Sequence, residues 1–313
     1  MRKFWGCLAA ALFVASTAQA DPPLTPAQQA EVAKLRAIQA ALHPQYGDVK
    51  IPGANATLHL GKDFYYLPPD EARRVLVDAW ENSPKSTEDE KGLIFPAGKG
   101  FLDDSWAAVV TYTDQGYVSD SDAKSTDYDK MIQSVRDGEG RMNEERKSEN
   151  LVPIHVVGWA TPPFYDQAHH TLVWARELQF GDQTDHTVNY DLRALGRGGV
   201  LSMNIISTMS KMNEVKAAAS QLQNVGTFDP GARYTDYKEG VDKKAEYGVA
   251  GLVAAAIGVA AAKKLGLLAV VLLFAKKGLA FIVAGFAAAG AWFRKFFTRK
   301  KTPPPGPTPL PGN

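Results

Sequence analysis

The spacing of apolar positions divides the chain into a series of short elements followed by one long apolar tract. Val32, Leu35, Ile38, Ala41 and Leu42 recur at helical spacing; Thr25 stands as N-cap, Pro26 in the first turn, and His43-Pro44 ends the helix. Three β-prone runs follow, DVKIP, ATLHL and DFYYL, split by Pro52-Gly53-Ala54-Asn55 and Gly61-Lys62, and these read as a small meander. Ala72, Val75, Leu76, Ala79 and Trp80 make one face of a second helix opened by Pro68-Pro69-Asp70. GLIFPA and SWAAVVTYT read as two strands, and Met131, Ile132 and Val135 mark a third helix whose charge-rich continuation is weakened by Gly138 and Gly140. From Pro153 four β runs succeed one another, IHVVGWA, HHTLVWARELQF, HTVNYDLRAL and GVLSMNIIST. Their separators, Pro162-Pro163, Gly181-Asp182 and Gly196-Arg197-Gly198-Gly199, are hairpin-sized, which predicts an antiparallel sheet. A last helix, MSKMNEVKAAASQLQNV, and a loop from Gly226 to Gly248 lead into the apolar tract. The predicted class is α+β, a domain with a mainly antiparallel sheet and several helices, plus C-terminal transmembrane helices.

The tract, Ala245 to Phe293, holds one acid, Glu246, and two lysine pairs, Lys263-Lys264 and Lys276-Lys277. Val249 to Ala262 and Leu279 to Phe293 are apolar on every side, a pattern expected of a membrane anchor rather than of a surface helix. At the other end, Met-Arg-Lys, a short apolar run and Ala18-Gln19-Ala20 have the form of a secretory signal cleaved after Ala20. The expected organisation is a signal peptide over 1–20, a periplasmic α+β domain over 21–245, an anchor of one or two passes over 246–293, and a basic then proline-rich tail over 294–313. Export places Lys263-Lys264 in the cytoplasm by the positive-inside rule. A membrane hairpin satisfies the hydropathy of the second segment; a single pass with an in-plane segment satisfies the charge of the tail.

Charge sharpens this division. The net charge of +1 conceals 34 acids against 24 bases in residues 21–246, while every charged residue beyond Glu246 is basic. An acidic domain sets nucleic acid aside as a partner, since phosphate affinity rests on clustered Lys and Arg. The one cysteine, Cys7, lies within the signal, so a mature chain from Asp21 has neither disulfides nor thiolate chemistry.

Candidate chemistry is sparse. Asp120 and Asp122, in SDSDAKSTDYD, are candidate oxygen ligands for a divalent metal, although no EF-hand spacing accompanies them and turn formation with helix capping by Asp127 accounts for the same residues. His169 and His170 beside Asp166 are a candidate base with a carboxylate orienter; no Gly-x-Ser-x-Gly elbow and no His-Glu-x-x-His helix joins them, and an exposed edge-strand pair is the plainer reading. Arg193 and Arg197 bracket a glycine-rich turn that, with Gly198 and Trp159, is a candidate ligand-binding surface. The alternative there is a hairpin whose arginines pair with acids. The residues name no cofactor.

Several blocks taken together carry a family likeness: Trp80-Glu81-Asn82, Gly116-Tyr117-Val118-Ser119-Asp120, Gly158-Trp159-Ala160 with Tyr165-Asp166, Asn189-Tyr190 with Arg193, Leu195-Gly196-Arg197, and Arg233-Tyr234 with Asp242-Lys243. Over roughly residues 45 to 295 the chain resembles a bacterial family of uncharacterised membrane-anchored proteins defined around a domain of unknown function. The resemblance implies an envelope protein with an exported domain and supplies no catalytic residues. The expectation is a non-enzymatic binding or interaction module at the bacterial inner membrane, facing the periplasm, with the lipid bilayer and an envelope protein as partners. The alternative is a membrane-tethered hydrolase or lyase using the His/Asp pair, with or without a metal.

Overall fold

The computed structural model describes residues 25–257, apart from 81, 83, 124, 125, 149 and 150. The predicted signal segment, the tail and the predicted anchor beyond Ile257 lie outside these residues. The chain divides into a unit ending at Gly266 and a second from Leu267, which lies wholly outside them.

The described chain is α+β with antiparallel sheets. Helix α1 (Pro26–Ala40) starts at a capping box, in which Thr25 Oγ1 accepts from Gln28 N–H and the Gln28 side chain accepts from Thr25 N–H. Strands β1 (Asp48–Ile51) and β2 (Ala56–His59) form a hairpin. Strand β3 (Phe64–Leu67) leaves them and joins a larger sheet by pairing with β4 (Glu90–Pro96). The expected three-strand meander is thus divided between two sheets. Burial explains it: β3 has all four residues buried, and such a strand needs cover on both faces.

The second helix begins as α2 (Pro69–Arg73) and widens into a π-helical turn over Arg74–Ala79. Strand β5 (Ala107–Thr113), helix α3 (Tyr128–Ser148) and strands β6 (Ile154–Asp166), β7 (Thr171–Phe180), β8 (Thr187–Leu195) and β9 (Val200–Thr208) follow, then α4 (Met212–Val225), β10 (Gly226–Phe228) and α5 (Val249–Ala256). The seven-stranded sheet runs β3-β4-β5-β9-β8-β7-β6, and the small sheet β1-β2-β10. Strand β10 falls in a stretch that reads as loop, because three residues carry too little periodicity to announce a strand.

Pro162 and Pro163 do not interrupt the chain as turn residues. Strand β6 runs through them, and it can because it is the edge of the sheet and its outer side needs no ladder donors. Helix α3 satisfies the start of that edge. Asn143 both donates to Ile154 O and accepts from Ile154 N–H, Glu139 accepts from Val156 N–H, and Arg136 donates to Val156 O.

Strand alternation sorts the large sheet into two faces. On one, Val110, Val173, Ala175, Tyr190, Leu192, Leu201, Met203 and Ile205 pack with the α4 residues Val215, Ala218, Ala219, Leu222 and Val225 and with Leu58 and Phe228 of the small sheet. Those α4 residues fall three or four apart, and burying a side chain such as Leu222 contributes about 2 kcal/mol. On the other face, Leu67, Leu93, Phe95 and Val109 pack with Ile38 of α1 and with Ala72, Val75 and Leu76 of the second helix.

Helix α5 is the described part of the predicted anchor. Val249, Leu252, Val253, Ala254 and Ile257 are buried, all at 4 % exposure or less. Its N-terminus is tied to the loop after β5: Ser119 O accepts from Val249 N–H, and the Asp122 carboxylate accepts from Ala250 N–H at 3.3 Å. A side chain at Gly248 would displace that carboxylate, so glycine lets it approach the start of the helix. Among the described residues no helix is long and apolar enough to cross a membrane.

Candidate functional site

Four connections gather around one crossing: the loop after β5, the β6–β7 turn, the β8–β9 hairpin and the segment between β10 and α5. Backbone bonds bind them together. Gly116 N–H donates to Gly198 O, Tyr117 N–H to Lys243 O, Ala245 N–H to Tyr117 O, Arg197 N–H to Ala232 O, and Leu195 N–H to His170 O.

The hairpin turn packs against β5 because Gly199 has no side chain; a Cβ there would strike Thr113 O. Arg197 then reaches across it. Its Nε and Nη2 donate to the two oxygens of Asp242 at 2.7 Å each, and Nη1 donates to Gly231 O at 3.1 Å. This bidentate fork holds the Asp242 carboxyl below the usual carboxylate range and raises the Arg197 guanidinium. Arg197 and Gly198 line a cavity of about 250 Å³ with Tyr112, Phe228, Asp114 and Lys243. Tyr112 and Phe228 meet edge to face, ring centroids 6.4 Å apart. The pocket therefore offers an aromatic surface, a carboxylate, an ammonium and the open backbone of Gly198.

Beside it stands a row of rings. Tyr237 stacks on Tyr117 at 3.8 Å, Tyr117 on Tyr234 at 4.6 Å, and His170 lies against Tyr234 at 4.5 Å. The Tyr165 hydroxyl is 3.1 Å from His170 Nδ1. Burial first, then the Asp120 carboxylate, pushes the Tyr165 phenol well above its ordinary value; burial together with Tyr117 and Asp120 does the same for Tyr234, so both stay neutral hydrogen-bonding groups. His170 holds this place with φ at +48°, a left-handed conformation that costs a non-glycine residue about 1 kcal/mol. Its ring contacts are what the strain preserves.

The sequence candidates separate. Asp120 and His170 meet through Tyr165, Arg197 and Gly198 share the cavity, and His169 pairs with Asp166 alone. That pair is local to the turn: His169 Nδ1 lies 2.7 Å from Asp166 Oδ2, and Asp166 Oδ1 accepts from Ala168 and His169 N–H. Burial raises the Asp166 carboxyl, but the bonds from His169 and Ala168 outweigh it and hold it low. The two histidines sit in the turn rather than in β7, which begins at Thr171. Asp122 faces α5, and Asp127 Oδ1 accepts from Lys130 N–H at the start of α3. Trp159 Nε1 donates to Tyr128 O. Arg193 is partly buried, over the Trp174 ring at 5.0 Å and bonded to the buried Asp191 at 3.2 Å. Among the described residues no group of three His, Cys, Asp or Glu side chains is placed to hold a metal ion. Tyr117, Tyr165 and Tyr234 stand in the blocks that carry the family likeness without being assigned to a site, and no sequence signal marked Tyr237.

Comparison with known proteins yields little beyond the family. No curated protein matches the chain. Among solved structures it is similar to cyanobacterial PsbP (CyanoP) from Synechocystis sp. PCC 6803, at 9% identity and a TM-score of 0.33 over 61% of this chain and 94% of that one. It is also similar to the Saccharomyces cerevisiae Ran-binding protein Mog1p, at 10% identity and a TM-score of 0.26 over 60% and 96%. Residues 43–287 match the family described as Protein of unknown function (DUF2167), and the chain belongs to that family.

Proposed function

We propose that the chain is an exported, membrane-tethered module of the bacterial cell envelope that binds a small polar ligand, or a protruding side chain of a partner protein, in the cavity beneath the β8–β9 hairpin. One observation carries the binding reading: the pocket of about 250 Å³ whose wall includes Arg197, Gly198 and Lys243. Arg197 and Asp242 neutralise each other, which leaves Asp114, Lys243 and the aromatic pair to choose the ligand. The secretory pattern ending at Ala20 and the apolar sequence after Ile257 support the address.

Amine labelling tests this reading. With the cavity occupied in cells, Lys243 reacts with an amine-directed reagent more slowly in intact envelopes than in purified protein, while exposed Lys238 reacts equally in both. Equal reactivity of Lys243 in the two preparations contradicts the proposal.

A further inference from the structure

The outer face of the small sheet carries a separate constellation. Alternation turns Val49, Ile51, Leu58 and Phe228 toward the core, and sends Asp48 and Lys50 of β1, Thr57 and His59 of β2 and Thr227 of β10 outward. His59 joins two of these. Its Nδ1 lies 2.9 Å from Asp48 Oδ1 and its Nε2 lies 3.1 Å from Thr227 Oγ1. A carboxylate on one ring nitrogen and a hydroxyl on the other is the order of an acyl-transfer triad, recognised by geometry and role rather than by position in the chain. The carboxylate fixes the proton on Nδ1 and leaves Nε2 to take the proton of the hydroxyl. Thr57, the other hydroxyl on this face, is committed: it donates to Asp229 at 2.7 Å, as does Lys50. Thr227 is exposed, so its oxygen is open to a solute. These groups line a cavity of about 390 Å³ with Pro230 and Arg233, in which Lys50 and Arg233 balance the charges of Asp48 and Asp229.

We propose that Thr227, His59 and Asp48 form a site for acyl transfer from small uncharged esters, with Thr227 as nucleophile, His59 as base and Asp48 as positioning residue. Thr227 Oγ1 bonds to the ester carbonyl carbon while its proton passes to His59 Nε2. The carbon–oxygen bond to the leaving alcohol then breaks, and the alcohol departs with that proton. Water attacks the ester now held on Thr227, gives a proton to His59, and Thr227 leaves with it. One ester and one water become one acid and one alcohol, with no change in oxidation state. This inference does not rest on the ligand cavity at Arg197: the two linings share Phe228 alone.

The test uses the full chain in detergent with p-nitrophenyl acetate, acid quenching and peptide mass spectrometry. An acetyl group on Thr227 is expected, absent in Thr227→Val, lost by a factor of about 100 or more in His59→Ala, and slowed in Asp48→Asn. Thr227→Ser, which offers a less hindered hydroxyl, is expected to acylate faster than the native chain; that gain needs no argument about folding. Acetyl groups on lysines alone, or nitrophenol release unchanged by Thr227→Val, would overturn the assignment. Failure of the Lys243 labelling leaves this result untouched, and the reverse holds equally.

Discussion

Arg197 and Asp242 close a clamp between the β8–β9 hairpin and the segment that leads to α5, with both carboxylate oxygens held at 2.7 Å by one guanidinium. The pair sits 45 residues apart in sequence and forms one wall of the cavity. A fork that the sequence presents as free to take an anion is turned onto the protein's own carboxylate.

Because the Asp242 carboxyl is held below its unfolded value, its contribution is complete above the ordinary carboxylate range and is lost as the pH falls through the depressed folded value. Arg197→Ala is therefore expected to increase proteolysis of the 229–245 segment at neutral pH, and the difference from the native chain to shrink in acid. Limited proteolysis across pH reads this directly. Equal cleavage of both chains at neutral pH would show that the clamp does not hold the segment.

Glu90 titrates in the opposite sense. Burial, and secondarily Asp89, lifts its carboxyl to about 7, so the folded chain holds this proton more tightly than the unfolded one. Stability falls as the pH rises from the unfolded carboxylate value to about 7 and is then constant. Glu90→Gln is expected to stabilise the domain at pH ~8 by on the order of 1 kcal/mol, allowing for solvent screening, and to have little effect at pH ~4. Denaturant unfolding at the two pH values measures the difference.

Helix α5 gives a third outcome. Val253 is fully buried, so Val253→Asp in the full chain is expected to destabilise the domain by about 3 kcal/mol or more, seen as lost protease resistance. A segment that only met lipid would leave the domain's resistance intact.

Much of the fold was legible because it rests on local signals. The Thr25 cap, the spacing of Val215, Ala218, Ala219 and Leu222, and the alternation along β8 and β9 each state their element within a few residues. What escaped depends on contacts distant in sequence. β3 is claimed by β4 rather than by β2, prolines are admitted to β6 only because it is an edge, and an all-apolar segment such as Val249–Ala256 suits a protein core as well as lipid. The site was less legible still. Arg197, Gly198, Asp120 and His170 could be singled out, but Asp242 stood only in the family likeness with nothing to pair it with Arg197, and Thr227 meets His59 across 168 residues.

Reporters fused after Lys264 and after Lys301 separate the two paths expected of the predicted anchor. The hairpin also requires residues 245–262 to cross as a first pass, although Val249, Leu252, Val253 and Ile257 are buried in the described chain. A hairpin places the first reporter in the cytoplasm and the second outside. A cytoplasmic signal at both positions excludes it.

The most direct measurement of the binding role is photo-crosslinking in living cells from position 198. Gly198 lines the cavity and a Cβ there meets nothing within 4 Å, so p-benzoylphenylalanine can be placed at the cavity's edge, and Gly138 on α3 offers an equally open control. A discrete adduct from position 198, identified by mass and absent from position 138, is the predicted result. No adduct from 198, or the same products from both positions, would contradict a ligand seat beneath the β8–β9 hairpin.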